Sequence, residues 1–484
     1  MKRTVFSLLA GIALLVGCTT AQDSPVLTID GGQVQGIQGE LPGVTIFKGI
    51  PYAAPPIGDL RWKEPQPVVP WEGVKVCDTF GHPGFQVTHY PGGYTTEWGY
   101  GDEPAYSEDC LYLNVYTKAP GATDKKLPVA LWIHGGGLRE GWGFEPEFDG
   151  EEWAAKDVVL VTFNYRLGMF GFMSHPDLIA ENEHGSSGNY GIMDQVQALK
   201  WIQANIAQFG GDPDNVTIFG QSGGGRSVRT LSESPIARGL FHKAVIMSAQ
   251  GFAMPMPAIP GMPAMPAMQP QTLEQQAAHY KEIMDWAGLD TIEKMRACST
   301  EEIFSLVNIY NRVNGVRGGM GMFAPVIDGY VCKQDFDTAA KEGNLADVPY
   351  MIGFTLNDAG NMAPGIAAFC LDRKEKGDPA FAYQFARPLP DDGSHPEDYL
   401  KGAFHSSDLW FIFKSLKHCW RPWTQGDWDL SEKMLTAWTN FAKYSDPQGD
   451  WKVCEGEDQF MVFCLDENDA EASFFGTPKT ASRP

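Results

Sequence analysis

Short apolar runs alternate with helix-like patterns along the chain, and this alternation constrains the fold more than any other feature. Two runs, Leu127–Ile133 and 158–163, have the continuous apolar character of buried strands. Between later runs, residues 194–207 carry apolar side chains at helical spacing. Such alternation predicts an α/β fold with a mostly parallel central sheet covered by helices on both faces. The later runs are 216–219, 244–247 and 349–353.

Both ends of the chain depart from this pattern. Residues 26–37, with Asp30 and Gly31 in the middle, predict an antiparallel hairpin. Near the C-terminus, Ser431 is expected to cap a helix, because a serine hydroxyl can accept from the first free backbone N–H groups. Residues 460–464 then predict a last strand.

The first residues have the pattern of an export signal. Lys2 and Arg3 precede an apolar run, 6–16, that is too short to span a bilayer. The run ends in Leu-Val-Gly-Cys18, which resembles the lipobox of bacterial lipoproteins and implies cleavage before Cys18 and lipidation of its thiol. Cleavage near Ala21, which would leave a soluble secreted protein, is the alternative.

This interpretation divides the chain into a signal peptide over 1–17, a tether over 18–24 and one domain over 25–478. It predicts an exported protein, either anchored in the bacterial cell envelope or secreted. Outside the signal, the sequence offers no segment apolar enough to cross a membrane.

Composition narrows the class of partner. The formal net charge is -23, which disfavours nucleic acid as a ligand because phosphate binding requires clustered lysine and arginine. The eight cysteines after Cys18 lack the spacing of a zinc site, so no metal is predicted. Export makes disulfides possible, but the sequence does not choose among their pairings.

A nucleophile motif occurs at the predicted strand-to-helix turn after residue 219. Ser222 stands in Gly-Gln-Ser-Gly-Gly, between a strand pattern and a helical pattern at 227–231. A G-x-S-x-G run in this context predicts a nucleophile elbow, where glycines allow the strand and the helix to approach closely. Ser222 is therefore the candidate nucleophile of an acyl-transfer reaction.

A second glycine-rich run follows the strand predicted at Leu127–Ile133. It reads His134-Gly-Gly-Gly137, and glycines there leave backbone N–H groups free to point into a cleft. Such donors stabilise the oxyanion of acyl transfer. Gly136, Gly137 and Gly223 are the predicted oxyanion donors.

With these motifs, the chain resembles the type-B carboxylesterases, the cholinesterase-like family of the α/β-hydrolase fold. The resemblance implies one catalytic domain, a small-molecule ester as substrate and no cofactor. It also implies a disulfide between Cys77 and Cys110, while the pairing of the other six cysteines stays open. Two structural ion pairs are implied, Arg61 with Glu108 and Arg166 with Asp194. The matching stretches are 47–53, 107–114, 164–168, 188–191, 210–213 and 238–241.

The resemblance also supplies the partners of Ser222. His405 lies in a sequence segment similar to the one that contains the family's catalytic base. Asp358 occupies the position of the family's catalytic acid, which is usually glutamate. Aspartate can hold the imidazole equally well, but its shorter side chain requires a closer backbone. Gly223 replaces the alanine common in the family.

The expected activity is therefore carboxylic ester hydrolysis through an acyl-enzyme, with Ser222, His405 and Asp358 as the triad. A surface esterase for plant cell-wall aromatic or acetyl esters is a narrower alternative. A non-catalytic binding protein on the same fold is an alternative of another class. The competent residues at all three triad positions favour the enzyme.

Substrate preference is less constrained, because loops shape the pocket. Trp410 is predicted to approach the acyl side of the substrate. A methionine- and proline-rich segment, 254–270, is interpreted as a surface loop or as an adaptable apolar flap near the substrate. A copper site on its thioethers is a weaker third interpretation, because the segment contains neither histidine nor cysteine.

Overall fold

A computed structural model describes residues 24–87, 92–99, 103–249, 272–314, 323–358, 360–393 and 400–465. The predicted signal peptide, Cys18 and the segment 254–270 lie outside these residues, so what the sequence indicates about them stays a prediction. The strands are β1 Val26–Ile29, β2 Gly32–Gln35, β3 Ile37–Gln38, β4 Thr45–Pro51, β5 Val74–Val76, β6 Tyr112–Thr117, β7 Leu127–Ile133, β8 Val159–Phe163, β9 Gly211–Gln221, β10 Lys243–Met247, β11 Tyr350–Thr355, β12 Phe381–Phe385 and β13 Met461–Phe463.

The larger sheet has the order β13-β12-β11-β10-β9-β7-β8-β6-β4-β3. Strands β7 to β13 pair in parallel, whereas β3, β4 and β6 form an antiparallel edge against β8. The predicted α/β fold with a mostly parallel sheet is therefore confirmed. Because parallel strands end at the same edge, the loops after β7, β9, β11 and β12 meet on one side of the molecule.

Helices cover both faces of this sheet. Neighbouring strand residues belong to opposite core clusters: Leu131 and Ile133 pack on one face, and Ala130 and Trp132 pack on the other. The helices are α1 Tyr94–Trp98, α2 Glu151–Ala155, α3 Gly168–Phe172, α4 Pro176–Glu181, α5 Tyr190–Asn205, α6 Gly223–Glu233, α7 Leu273–Trp286, α8 Ile292–Ala297, α9 Thr300–Val313, α10 Phe336–Glu342, α11 Ala363–Glu375, α12 Leu409–Ile412 and α13 Gln425–Tyr444. Within the described ranges, none of them combines the length and apolar character needed to span a bilayer.

The two ends of the fold test the local predictions. The N-terminal hairpin forms as β1 and β2, but it belongs to a separate small sheet with β5. The predicted cap at Ser431 is wrong. Thr424 caps α13 in a reciprocal capping box with Asp427, and Ser431 lies inside the helix with its hydroxyl donating to the Phe411 carbonyl.

Both predicted structural ion pairs are present and buried. Arg61 Nη2 lies 2.6 Å from Glu108 Oε1, and Arg166 Nη2 lies 2.7 Å from Asp194 Oδ1. Each arginine also makes a second bond to the same carboxylate through Nε, so both pairs have the fixed bidentate geometry of the guanidinium fork.

The predicted bridge between Cys77 and Cys110 is absent from the structure, where both residues are buried free thiols. The Cys77 thiol instead lies 3.7 Å from the Lys75 carbonyl oxygen. Among the cysteines whose pairing the sequence leaves open, Cys454 Sγ donates to the Gly456 carbonyl oxygen at 3.4 Å, and the neighbouring Cys454 raises the pKa of the buried Cys370 thiol.

Candidate active site

Ser222 occupies a strained turn between β9 and α6. Its backbone has φ 57° and ψ −116°, outside the regions that non-glycine residues ordinarily adopt, and its N–H donates to the Met247 carbonyl at 2.9 Å. The flanking glycines permit this turn. A Cβ on Gly220 would lie 2.6 Å from the Gly224 backbone, and one on Gly224 would overlap the Ile133 carbonyl oxygen. The predicted elbow geometry is thus present in full.

The loop after β7 lies directly against this elbow. Gly136 and Gly137 have φ 87° and 64°, and a Cβ on Gly136 would overlap the Glu140 carbonyl oxygen. The amide nitrogen of Gly137 lies 2.9 Å from the point that a Cβ on Gly223 would occupy. Glycine at position 223, where the family commonly has alanine, therefore accompanies a close approach of the glycine-rich loop to the elbow.

His405 and Asp358 come together at the same edge of the sheet. Asp358 follows β11, His405 precedes α12, and the Nδ1–H of the imidazole donates to Asp358 Oδ1 at 2.6 Å. The Asp358 side chain is 1% exposed and that of His405 is 28% exposed, so the acid is enclosed and the imidazole is accessible. The shorter aspartate side chain reaches the imidazole without difficulty.

Asn357 joins the segment that carries Asp358 to the segment that carries His405. Its backbone N–H donates to the Ala403 carbonyl at 2.9 Å, and its side-chain oxygen accepts from the Ala403 N–H at 2.8 Å. These two bonds join the backbone next to Asp358 to the backbone two residues before His405. These two hydrogen bonds were not predicted, although the amide side chain beside the candidate acid was a signal available in the sequence.

The other imidazole nitrogen faces the elbow. His405 Nε2 lies 3.1 Å from the Gln221 side-chain nitrogen, which has only protons to offer and therefore donates. The imidazole then carries its proton on Nδ1, toward Asp358, and has a lone pair on Nε2, as a general base requires. In the described part of the chain, Ser222 Oγ makes no hydrogen bond to His405 in this resting arrangement.

Two other histidines, His134 and His418, have partners of their own. Burial lowers the pKa of His134 to about 3, and its ring stacks on Tyr165 at 4.4 Å. His418 Nε2 lies 3.0 Å from Asp149 Oδ2. Neither histidine pairs with a carboxylate next to Ser222, which agrees with the choice of His405 made from the sequence.

The predicted contact of Trp410 with substrate is not supported by the structure. Trp410 is 0% exposed, packs on Trp98 at 5.3 Å and donates its indole N–H to Glu97 Oε1 at 3.1 Å. An indole enclosed in this way has no face left for a ligand. The sequence could not reveal this, because the residues that cover Trp410 are about three hundred positions away.

A second carboxyl group lies close to the histidine–aspartate pair. Asp408 is 0% exposed and accepts a hydrogen bond from the Tyr383 hydroxyl at 2.9 Å. Burial, with a smaller contribution from Asp358, raises the pKa of Asp408 to about 6, against the opposing effects of Tyr383 and His405. Nothing in the sequence predicts this environment, because Tyr383 lies on a separate strand.

Replacing Asp408 by asparagine is expected to flatten the pH dependence of stability. The folded pKa is raised, so the folded state holds a proton that the unfolded state releases, and stability falls as the pH rises from about 4 to about 6. That loss amounts to roughly 2–3 kcal/mol. Asparagine keeps the acceptor for Tyr383 and cannot ionise. Urea denaturation at pH 4 to 7 measures the effect, and parallel curves for the two proteins would contradict it.

The fold and this arrangement define an α/β-hydrolase with an acyl-transfer site: a strained serine at the strand-to-helix elbow, a histidine–carboxylate pair and a glycine-rich loop. Comparison with known proteins gives the family. The chain matches the carboxylesterase family over residues 23–368 and 361–475, and it belongs to that family, the type-B carboxylesterases.

Individual relatives agree with this assignment. The chain is 34% identical to the para-nitrobenzyl esterase of Bacillus subtilis, over 82% of this chain and 74% of that protein. It is 30% identical to human cocaine esterase, over 96% and 92% of the two chains. A solved PNB esterase structure superposes with a TM-score of 0.74 at 28% identity, covering 91% of this chain and 95% of the other. The protein is therefore a serine carboxylesterase that hydrolyses carboxylic esters.

Proposed function

We propose that the chain hydrolyses small-molecule carboxylic esters through an acyl-enzyme on Ser222, with His405 as the base and Asp358 as the orienting acid. One observation carries this assignment. His405 pairs with the buried carboxylate of Asp358 at the carboxyl edge of the described sheet, and its other nitrogen, Nε2, faces Gln221, the elbow residue next to Ser222.

The mechanism follows from these positions. His405 Nε2 takes the proton of Ser222 Oγ as that oxygen attacks the ester carbonyl. Negative charge then develops on the carbonyl oxygen, where the backbone N–H groups of Gly136, Gly137 and Gly223 stabilise it. His405 next protonates the leaving alcohol, and a water molecule activated by the same imidazole hydrolyses the acyl-enzyme.

Asp358 acts through the imidazole. Its carboxylate holds the proton on Nδ1 and stabilises the imidazolium that forms when Nε2 accepts the serine proton. Gln221 keeps Nε2 oriented toward the elbow before substrate binds, and proton transfer requires its amide to release that nitrogen. Catalytic hydrogen bonds commonly form only once substrate is in place.

A fluorophosphonate probe tests the proposal directly, because an activated serine hydroxyl attacks its phosphorus and stays covalently labelled. We expect the wild-type protein to hydrolyse p-nitrophenyl acetate and butyrate, and to lose this activity on labelling. Mass spectrometry is expected to locate one phosphonyl group on the peptide that contains Ser222. Labelling of another residue, or the absence of both turnover and labelling, would favour the non-catalytic alternative.

A further inference from the structure

Helix α1 contacts the backbone of His405, which lies 311 positions after the first residue of the helix. The hydroxyl of Tyr94, the first residue of α1, donates to the His405 carbonyl oxygen at 3.0 Å. The Tyr94 ring also meets the Phe404 ring edge-on, with 6.3 Å between centroids. One side chain therefore touches both His405 and the residue before it.

The His405 peptide needs such support because the turn is strained. Ser406 has φ 79°, in the left-handed region that non-glycine residues avoid. This conformation is unfavourable for a residue with a Cβ and persists only where the surroundings enforce it. The Tyr94 hydroxyl satisfies the carbonyl at the start of this turn, and the Leu409 N–H bonds the Ser406 carbonyl at 3.1 Å.

A buried ion pair holds α1 in position. Glu97 and Arg421 are both 0% exposed, and Arg421 Nε lies 2.9 Å and 3.0 Å from the two carboxylate oxygens. Arg421 also donates to the Leu400 carbonyl at 2.7 Å, and the Trp420 indole donates to the Thr96 carbonyl at 3.1 Å. A bidentate pair in a dry interior fixes both distance and orientation.

We propose that Tyr94 is a positioning residue for the base: its hydroxyl fixes the His405 peptide, and the Glu97–Arg421 pair fixes the helix that carries Tyr94. This inference rests on the proposed function, because it matters only if His405 Nε2 receives the serine proton. A small rotation of the His405 peptide would move Nε2 away from the elbow while leaving the rest of the fold intact. A displacement of a reacting group by about 1 Å is enough to slow catalysis.

The surroundings of Tyr94 keep its hydroxyl protonated, as a hydrogen-bond donor must be. Tyr94 is 40% exposed, but the burial of the rest of the side chain, with the carboxylates of Asp358 and Glu97, raises its pKa, so the hydroxyl keeps its proton through the neutral range. The hydroxyl is therefore available as a donor to the His405 carbonyl at the pH values where His405 acts as a base.

Tyr94→Phe tests the inference, because it removes one hydroxyl and keeps the ring against Phe404. We expect kcat for p-nitrophenyl acetate to fall about fivefold, which corresponds to the ~1 kcal/mol of one lost hydrogen bond. KM is expected to stay within about twofold, since Tyr94 acts on the base and not on bound ester. Fluorophosphonate labelling should slow in parallel with kcat at an unchanged melting temperature.

Tyr310→Phe is the matched control, because it also removes one tyrosine hydroxyl bond, to Glu282, far along the chain from Tyr94. It should leave kcat, KM and the labelling rate unchanged. A Tyr94→Phe protein with kcat within twofold of wild type, or with a raised KM and normal kcat, would overturn the inference while leaving the proposed function intact. A wild-type protein that is neither active nor labelled would overturn both.

Discussion

Ser222→Ala is expected to lower kcat for p-nitrophenyl esters by about 10⁵–10⁶ and to leave the fold unchanged. The substitution deletes the oxygen that forms the acyl-enzyme, so only substrate binding and the glycine N–H donors remain to accelerate attack by water. Alanine carries the same Cβ as serine and meets the same backbone strain at φ 57°. Steady-state turnover is measured at equal protein concentrations that are determined without titrating the active site. Thermal unfolding is measured in parallel.

Ser234→Ala provides the control for this loss. Ser234 is a buried serine directly after α6, and its hydroxyl has no hydrogen-bond partner among the described residues. Its replacement should leave turnover and melting temperature close to wild type. Residual activity of Ser222→Ala above about one per cent would contradict the assignment of Ser222 as the nucleophile, since removal of a triad nucleophile costs far more.

The parts of the site that the sequence predicts are those that local motifs specify. The Gly220-to-Gly224 elbow, the glycine run ending at Gly137 and the phrase around His405 each follow one strand of a parallel sheet. Their meeting at one edge follows from the fold class alone. The pairing of Asp358 with His405 needed the family resemblance as well, because chain spacing does not identify the acid.

The parts that the sequence misses depend on distant packing. Its neighbours in sequence alone predict that Trp410 contacts the substrate. In the structure, Glu97 and Trp98 of α1 cover its indole instead. The contact between Tyr94 and His405 joins residues 311 positions apart. No local pattern encodes such a contact, because it depends on how a short helix docks on a finished sheet.

Competition between local signals explains the error at Ser431. Ser431 is a plausible N-cap, but Thr424 offers a cap seven positions earlier together with Asp427 at the third helical position. A reciprocal capping box satisfies two free N–H groups where a lone serine satisfies one. The longer helix also extends the apolar face that packs on the sheet, so the earlier start prevails.

Asp358→Asn is expected to lower kcat by about 10⁴ with little change in the melting temperature. The Asp358 carboxylate accepts the Nδ1–H at 2.6 Å, whereas an asparagine amide can offer a proton there. The imidazole would then carry its own proton on Nε2, facing the elbow, and could not accept the proton of Ser222. The substitution replaces one carboxylate oxygen by an amide nitrogen and hardly alters the packing. The loss of kcat therefore reports the change of imidazole tautomer.

Asp358→Glu separates the charge from the geometry. Glutamate, the usual acid of the family, restores the carboxylate but adds a methylene to a buried contact that already closes at 2.6 Å. We expect kcat to fall by roughly tenfold to a hundredfold, well short of the loss in the asparagine variant, because the tautomer is preserved while the imidazole is displaced. Equal losses in both variants, measured by turnover and by the rate of fluorophosphonate labelling, would show that packing around Asp358 matters more than its charge.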